Sequence, residues 1–480
     1  MMSAFWVLCL AVAVSVSGGD TGIPVEDELI LDIPAAEAYI ASAPTFWGQA
    51  RRRSQVFGHR SRSTSAGVPQ FSKEWGQVKW IPGYGESKEK QYSGYISFGE
   101  PNDQKHLFYY LVGLDPAKPT VLWLQGGPGV SSLYGSFAEI GPYEVHDDMT
   151  VTERIESWHQ DANLLFIDNP VGTGFSFSDK PTSLDHNEVT IANDLVDFLQ
   201  IFYRRHSELR ETDFFIFGES YGGKYVPSLA RAILKHNRNV SPDLSLRLAG
   251  IAVGNGWTHP ETQLMHYDDV AFMKGLIDER QAATASGLAH EVYKMVQAKN
   301  FTKASQSCDS LVGYIQKCGA NFSPYNVREF TEEKPLPFYD WLNKPDVRHA
   351  FHVGNISWGF DSDAVMKALE DDIMRSALPA MKEVLESNEI KVLVYNGGDD
   401  FICNLIGTEE VYLSLQWTGQ GQYLKADRRP WYNSNKEVAG FVRKAGVFTQ
   451  LSVNSAGHMV PTDQPSNARQ LLQTFLHGEF

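Results

Sequence analysis

Residues Gly218-Glu219-Ser220-Tyr221-Gly222 form a Gly-x-Ser-x-Gly pentapeptide between an apolar run, Phe214 to Phe217, and a helix-like run from Lys224 to Leu234. A strand that turns sharply into a helix holds a serine in a strained elbow, its hydroxyl exposed above the sheet and helix amides behind it. Side chains in place of the flanking glycines would block that turn. A serine hydroxyl is a weak nucleophile until a base stands within hydrogen-bond reach and a third group orients the base. In a sheet of this kind the three groups follow in the order Ser, Asp, His, each just beyond a strand. Asn396-Gly397-Gly398-Asp399-Asp400 follows the apolar run Val392 to Tyr395, and Ser455-Ala456-Gly457-His458-Met459 follows Val447 to Val453. Ser220 and His458 are the expected nucleophile and base, and either Asp399 or Asp400 the orienting carboxylate. Read singly, each aspartate is a turn former and the histidine a surface residue. Their joint order is what points to acyl transfer. Donors for the developing oxyanion are expected from the Tyr221 amide and from Gly127 in the loop Gly126-Gly127-Pro128-Gly129 that follows Val121 to Gln125.

The elements that must hold these residues alternate along the chain. His106 to Leu114, Thr120 to Gln125, Asn163 to Asp168, Phe214 to Phe217 and Leu248 to Val253 read as strands bounded by turn residues. Between them, Ile191, Leu195, Phe198, Leu199 and Phe202 recur at helical spacing. Such alternation predicts an α/β fold, a mostly parallel central sheet with helices on both faces. Pro227 falls early in the helix after the elbow, where it is expected to distort the first turns. Strand signals fade from about 257 to 379, which predicts an inserted helical cap. They return at Val392 and Val447, and Asn467 to Phe475 reads as a closing helix.

The chain has 480 residues, 42% hydrophobic and 21% charged, with a formal net charge of -16. It is long enough for one large domain with an insertion, and its acidity argues against a nucleic-acid ligand. Residues 1–19 are apolar around Phe5 to Val14 and end in small residues, the pattern of a secretory signal peptide, although no Lys or Arg precedes the apolar stretch. An uncleaved anchor is the alternative, but the stretch is short for a membrane span. Residues 20–70 carry Arg51-Arg52-Arg53, Arg60 and Arg62 and read either as a removable pro-segment or as a solvated extension; the catalytic domain is expected over 71–480. In an oxidising lumen Cys308 and Cys318, close in sequence, are expected to form a local disulfide that leaves Cys403 free. Asn300 and Asn355 head the two favourable glycosylation sequons. No cofactor and no metal is expected.

Trp123 to Gly129, Glu139-Ile140-Gly141-Pro142-Tyr143, Asn163 to Ser176, Gly218 to Gly223 and Gly457-His458-Met459-Val460-Pro461 together resemble the serine carboxypeptidases. Gln125 and Val130 look like the vitellogenic carboxypeptidase-like branch. The resemblance runs from about Tyr92 to the C-terminus. It implies the α/β-hydrolase fold and release of C-terminal residues from peptides at acidic pH through an acyl-enzyme. It also selects Asp400 over Asp399, because the family's triad aspartate stands directly before Phe401-Ile402-Cys403-Asn404. Gln125, Gly126 and Glu219 are implied to hold the substrate's free carboxylate, Glu219 sharing a proton with Glu139. Two carboxyl groups in contact cannot both ionise cheaply, so one stays neutral and can donate to a carboxylate. Trp123 and Met459 are expected in the substrate pocket. The expected partners are the C-termini of peptides and proteins, with a homodimer as an admitted assembly and no membrane after signal removal. The expected compartment is the secretory pathway, ending in a lysosome-like or vacuole-like lumen or outside the cell. A carboxypeptidase-like acyltransferase and a non-catalytic secretory protein on the same scaffold are the alternatives.

Overall fold

The computed structural model describes residues 76–330 and 335–480. The expected signal peptide, 1–19, and the extension, 20–70, with its arginines, lie outside the described residues. One sheet is built from β1 (Gln91–Glu100), β2 (Asp103–Val112), β3 (Thr120–Leu124), β4 (Asn163–Ile167), β5 (Phe177–Ser178), β6 (Phe214–Glu219), β7 (Leu248–Gly254), β8 (Lys391–Gly397), β9 (Arg429–Tyr432), β10 (Val438–Ala445) and β11 (Phe448–Val453). Its order is β9-β10-β11-β8-β7-β6-β3-β4-β2-β1, with the short β5 beside β2. The six strands from β11 to β4 are parallel. Antiparallel strands close both margins.

Because strand side chains alternate, each central strand feeds two cores. Leu122, Leu124, Phe214 and Ile216 pack on the face covered by α1 (Glu188–Arg205) and α2 (Gly222–Asn237). Val121, Trp123, Phe215 and Phe217 pack on the other, against Leu471, Leu472 and Phe475 of the C-terminal helix Pro465–His477. Each large apolar side chain so buried is worth about 1.5–3 kcal/mol relative to exposure. The Asn187 side chain caps α1 by accepting from the Val189 and Thr190 amides, and Arg204 and Arg205 fill its last turn.

Pro227 lies inside α2 and does not end it. Proline removes the N–H that would bond to the Gly223 carbonyl. That carbonyl accepts instead from Thr258 Oγ1 at 3.2 Å, so a side chain from beyond β7 replaces the missing helical bond.

The chain between β7 and β8 carries helices from Pro260 to Ser387, among them α3 (Phe301–Cys318). The expected Cys308–Cys318 disulfide does not form, and both thiols are free. The two cysteines stand ten residues apart on α3, and at 1.5 Å per residue a helix separates them by about 15 Å, whereas a disulfide needs Cα atoms within roughly 7 Å. Among the described residues no helix is long and apolar enough to cross a membrane.

Candidate functional site

The C-terminal ends of the parallel strands deliver the chemistry-bearing residues to one edge of the sheet. Register places Gly218 of β6 beside Leu124 of β3, and Glu219 beside Gly254 of β7. Ser220 therefore emerges between the loops that carry Gln125 and Asn255. Its backbone is left-handed, with φ +61°, a conformation costly for a residue with a Cβ. The surroundings hold it there. The Ser220 amide donates to the Gly254 carbonyl at 3.1 Å, and its own carbonyl accepts from Gly223 and Trp257 amides, both at 2.8 Å. A Cβ on Gly218 would meet Val226 Cγ2 at 2.7 Å, and one on Gly126 would meet Tyr221 N at 2.5 Å and Ser220 Cβ at 2.6 Å. Only glycine lets the loop after β3 and the elbow touch.

His458 and Asp400 meet across the β8 and β11 loops. His458 Nδ1 lies 2.8 Å from Asp400 Oδ2, and both side chains are buried. The His458 amide donates to the Tyr325 carbonyl, and the ring tilts against Tyr325 at 5.2 Å between centroids. Asp400 Oδ2 also accepts from Asn255 Nδ2 at 2.7 Å, and Oδ1 accepts from the Cys403 amide at 3.2 Å. Asp399 turns the other way, pairing with Lys274 at 2.6 Å and Arg328 at 3.0 Å. Adjacent aspartates thus serve different partners, one a histidine and one two surface cations.

Behind the elbow lies a buried carboxyl pair. Gln125 Nε2 donates to Glu219 Oε1 at 2.9 Å, and Trp123 Nε1 donates to Gln125 Oε1 at 2.7 Å. Both oxygens of Glu139 and Oε2 of Glu219 are buried without an N–H or hydroxyl donor. A shared proton is what can satisfy them. Burial, the charge of Glu139 and the hydrogen bond to it hold Glu219 well above the usual carboxylate range. Burial likewise raises Glu139 to about 7, opposed by the neighbouring side chains of Glu219 and Gln125. Trp123 does not line a pocket as expected: it is fully buried, and its indole fixes the amide of Gln125 from beneath.

A family model described as serine carboxypeptidase matches residues 82–478. The chain belongs to the serine carboxypeptidase family. A probable serine carboxypeptidase (CPVL) of Homo sapiens is 36% identical over 427 residues, 86% of this chain and 88% of the relative. The venom serine carboxypeptidase of Apis mellifera is 34% identical, covering 81% and 84%, and the vitellogenic carboxypeptidase of Aedes aegypti 34%, covering 82% and 85%. The crystal structure of Kex1Δp, a prohormone-processing carboxypeptidase from Saccharomyces cerevisiae, superposes with a TM-score of 0.72 at 25% identity, over 81% of this chain and 92% of that one. The fold is that of the α/β hydrolases.

In this serine carboxypeptidase Ser220 opens onto an apolar cavity lined also by Trp257, Val312, Ile373, Met374 and Cys403. Its far wall comes from α3 and from residues after Pro260, so the chain between β7 and β8 closes over the elbow. Met459, half-buried beside His458, is absent from that lining. Gly127 shares it, at φ +108°. Among the described residues neither the Tyr221 nor the Gly127 amide donates to another group. Asp400, Cys403 and His458 bring their polar atoms within 4.8 Å, a set that could hold a metal ion. Their chemistry fits poorly. Burial pushes the Cys403 thiol well above its usual value, and a neutral thiol is a weak ligand.

Two supporting residues were given no role by the sequence, although Asp168 lies within the motif Asn163 to Ser176. Asn255 sits at φ +44° and accepts the Gly397 amide at Oδ1 while its Nδ2 reaches Asp400. Asp168 accepts from Ser131 Oγ at 2.5 Å and the Phe175 amide at 2.8 Å, tying the loop after β3 to the loop after β4. Burial raises Asp168 to about 6, moderated by those donors. An Asn or Asp directly after a strand was the only available signal, and most such residues simply make turns.

Proposed function

We propose that this serine carboxypeptidase cleaves the last peptide bond of its substrates through an acyl-enzyme on Ser220. His458 takes the Ser220 proton as Oγ attacks the carbonyl carbon, and Asp400 holds the imidazole with Nδ1 protonated so that Nε2 is free to act as base. The amides of Tyr221 and Gly127 donate to the oxyanion that forms. Collapse expels the amine of the C-terminal residue, which receives the proton from His458. Water then attacks the ester, with His458 again as base, and restores Ser220. The single observation that carries this reading is the donor-poor Glu139–Glu219 pair, bonded to Gln125 and adjacent in sequence to Ser220. A neutral carboxyl and an amide beside the nucleophile suit a substrate that ends in a carboxylate.

The substrate side chain facing the cavity is apolar, since Trp257, Val312, Ile373 and Met374 offer it dispersion contact and little hydrogen bonding. Asn300 and Asn355 are exposed and accessible for glycosylation, in keeping with an acidic lumen of the secretory pathway, lysosome-like or vacuole-like, or with release from the cell. The test incubates blocked dipeptides with different terminal residues, between about pH 4 and 7, with wild type and Ser220→Ala. Release of the terminal amino acid by wild type alone is the expected result; equal behaviour of the two overturns the reading.

A further inference from the structure

Lys224 and Asp372 form a buried ion pair beneath the serine elbow. Lys224 lies in the first turn of α2 and is 1% exposed. Its Nζ stands 2.8 Å from Asp372 Oδ2, donates also to the Asp372 carbonyl, and lies 3.4 Å from the Tyr221 hydroxyl. The same hydroxyl donates to Asp372 Oδ2 at 2.8 Å. Asp372 belongs to the chain between β7 and β8, and the next two residues, Ile373 and Met374, are walls of the cavity. The Ile373 carbonyl accepts from the Trp257 indole at 2.9 Å. Glu188, at the start of α1, brings a further carboxyl group into the cluster, both of its oxygens buried and without a donor. Burial and the charge of Asp372 hold it well above the usual carboxylate range.

Such a cluster needs a reason. A buried ion pair gains little stability over apolar side chains of the same shape, because desolvation offsets the attraction. Its geometry is specific, however: one carboxylate grips both the ammonium and the phenol of the residue that follows Ser220. We propose that Lys224 and Asp372 are positioning residues that, through the Tyr221 hydroxyl, aim the Tyr221 amide at the oxyanion and hold the Ile373–Met374 wall in register with it. This rests on the oxyanion role given above to the Tyr221 amide.

The experiment compares wild type with Tyr221→Phe, with the charge-free pair Lys224→Met/Asp372→Leu, with the triple variant and with Ser220→Ala. Single removal of either charge is avoided, because it strands the other in the interior. Complete loss of an oxyanion donor costs about 10²–10³ in kcat, so a misaimed one should cost about tenfold. Tyr221→Phe is expected to melt like wild type and to lose about tenfold in kcat on peptide and ester alike, with KM within about twofold. The charge-free pair should lose the same, and the triple variant no more than either. A wild-type kcat for Tyr221→Phe, or losses that multiply in the triple variant, overturns the proposal. If the charge-free pair does not fold, the kcat and KM of Tyr221→Phe decide alone. Turnover by Ser220→Ala would sink the nucleophile assignment itself, whereas an inactive Ser220→Ala beside an unimpaired Tyr221→Phe sinks the positioning role only.

Discussion

Asn255 donates its side-chain amide to Oδ2 of Asp400 at 2.7 Å, the same oxygen that meets His458 Nδ1 at 2.8 Å. Asn255 is itself fixed at the other end by the Gly397 amide, which donates to its Oδ1 at 3.2 Å. The carboxylate therefore has one rotational setting, and with it the imidazole. Asn255→Ala removes a donor to a buried charge without touching Ser220 or the carboxyl pair. A lost hydrogen bond to a charged group is worth about 1.5–3 kcal/mol, so kcat should fall about tenfold to a hundredfold while KM stays within about twofold. Asn255→Asp should be worse, since a second carboxylate against Asp400 raises one of the two and spoils the orienting charge. Steady-state kinetics on an ester substrate read both. A wild-type kcat for Asn255→Ala would remove Asn255 from the positioning of His458.

The thiols make a second prediction. Cys308 and Cys403 are buried and Cys318 is half-buried, all three free. Burial raises the Cys308 thiol beyond its usual range, as it does Cys403, so neither is a ready nucleophile. Alkylation of the native protein should modify Cys318 first, and unfolding without a reductant should expose all three to the reagent. Peptide mass mapping checks this. A mass two hydrogens short, with Cys308 and Cys318 protected until reduction, would overturn the free state of these two thiols.

How much of this was legible beforehand follows from what each residue depends on. The strands that carry Ser220 and Asp400 are short apolar runs closed by turn residues, and their ends agree with the structure to within about two residues. Such runs are buried on both faces and announce themselves. The hairpin of β9 and β10 does not: Val438–Ala445 is broken by Gly440, where a Cβ would meet the Ser452 carbonyl of β11 at 1.8 Å, so the residue that lets β10 lie against β11 hides the pattern. Asp399 and Asp400 are indistinguishable by spacing because their difference is tertiary, Lys274 and Arg328 against His458. Cys308 and Cys318 look pairable only until a helix is known to run between them. Lys224, Asp372 and Glu188 lie on three separate segments, and no periodicity joins them.

The cavity predicts a measurable preference. Met374 contributes a long flexible wall beside Ser220, and Met374→Ala enlarges the space that a substrate side chain fills. A single methylene of lost pocket contact is worth about 1–3 kcal/mol. The ratio of kcat/KM for substrates with a medium apolar side chain against those with a bulky aromatic one should shift toward the aromatic by about tenfold, with the thermal midpoint a few degrees lower from the core cavity. Blocked dipeptides varied at one residue at a time identify which side of the scissile bond the cavity serves. An unchanged ratio at both residues would exclude the cavity as a side-chain site.

The paired carboxyls set the pH behaviour. Glu139 is raised to about 7 and Glu219 well above its usual value, both chiefly by burial. Each therefore holds a proton in the folded state that the unfolded chain releases near the ordinary glutamate value, about 4.3. Between those limits the native state binds more protons than the unfolded one, so their contribution to stability is full at low pH and is lost as pH rises through about 7. Asp168, raised to about 6 by burial, acts in the same direction. The thermal midpoint should fall by several degrees between about pH 5 and 8, and Glu139→Gln should flatten the fall. Binding of a free C-terminal carboxylate should weaken over the same range, because a charge appearing on the pair repels it. KM for a peptide should then rise about tenfold per pH unit above the limb, while KM for a substrate with a blocked C-terminus stays flat. Glu219→Gln keeps a hydrogen-bond donor that cannot ionise, so its peptide KM should lose the limb. A peptide KM that climbs in Glu219→Gln as it does in wild type would assign the limb to another group and free Glu219 from carboxylate binding.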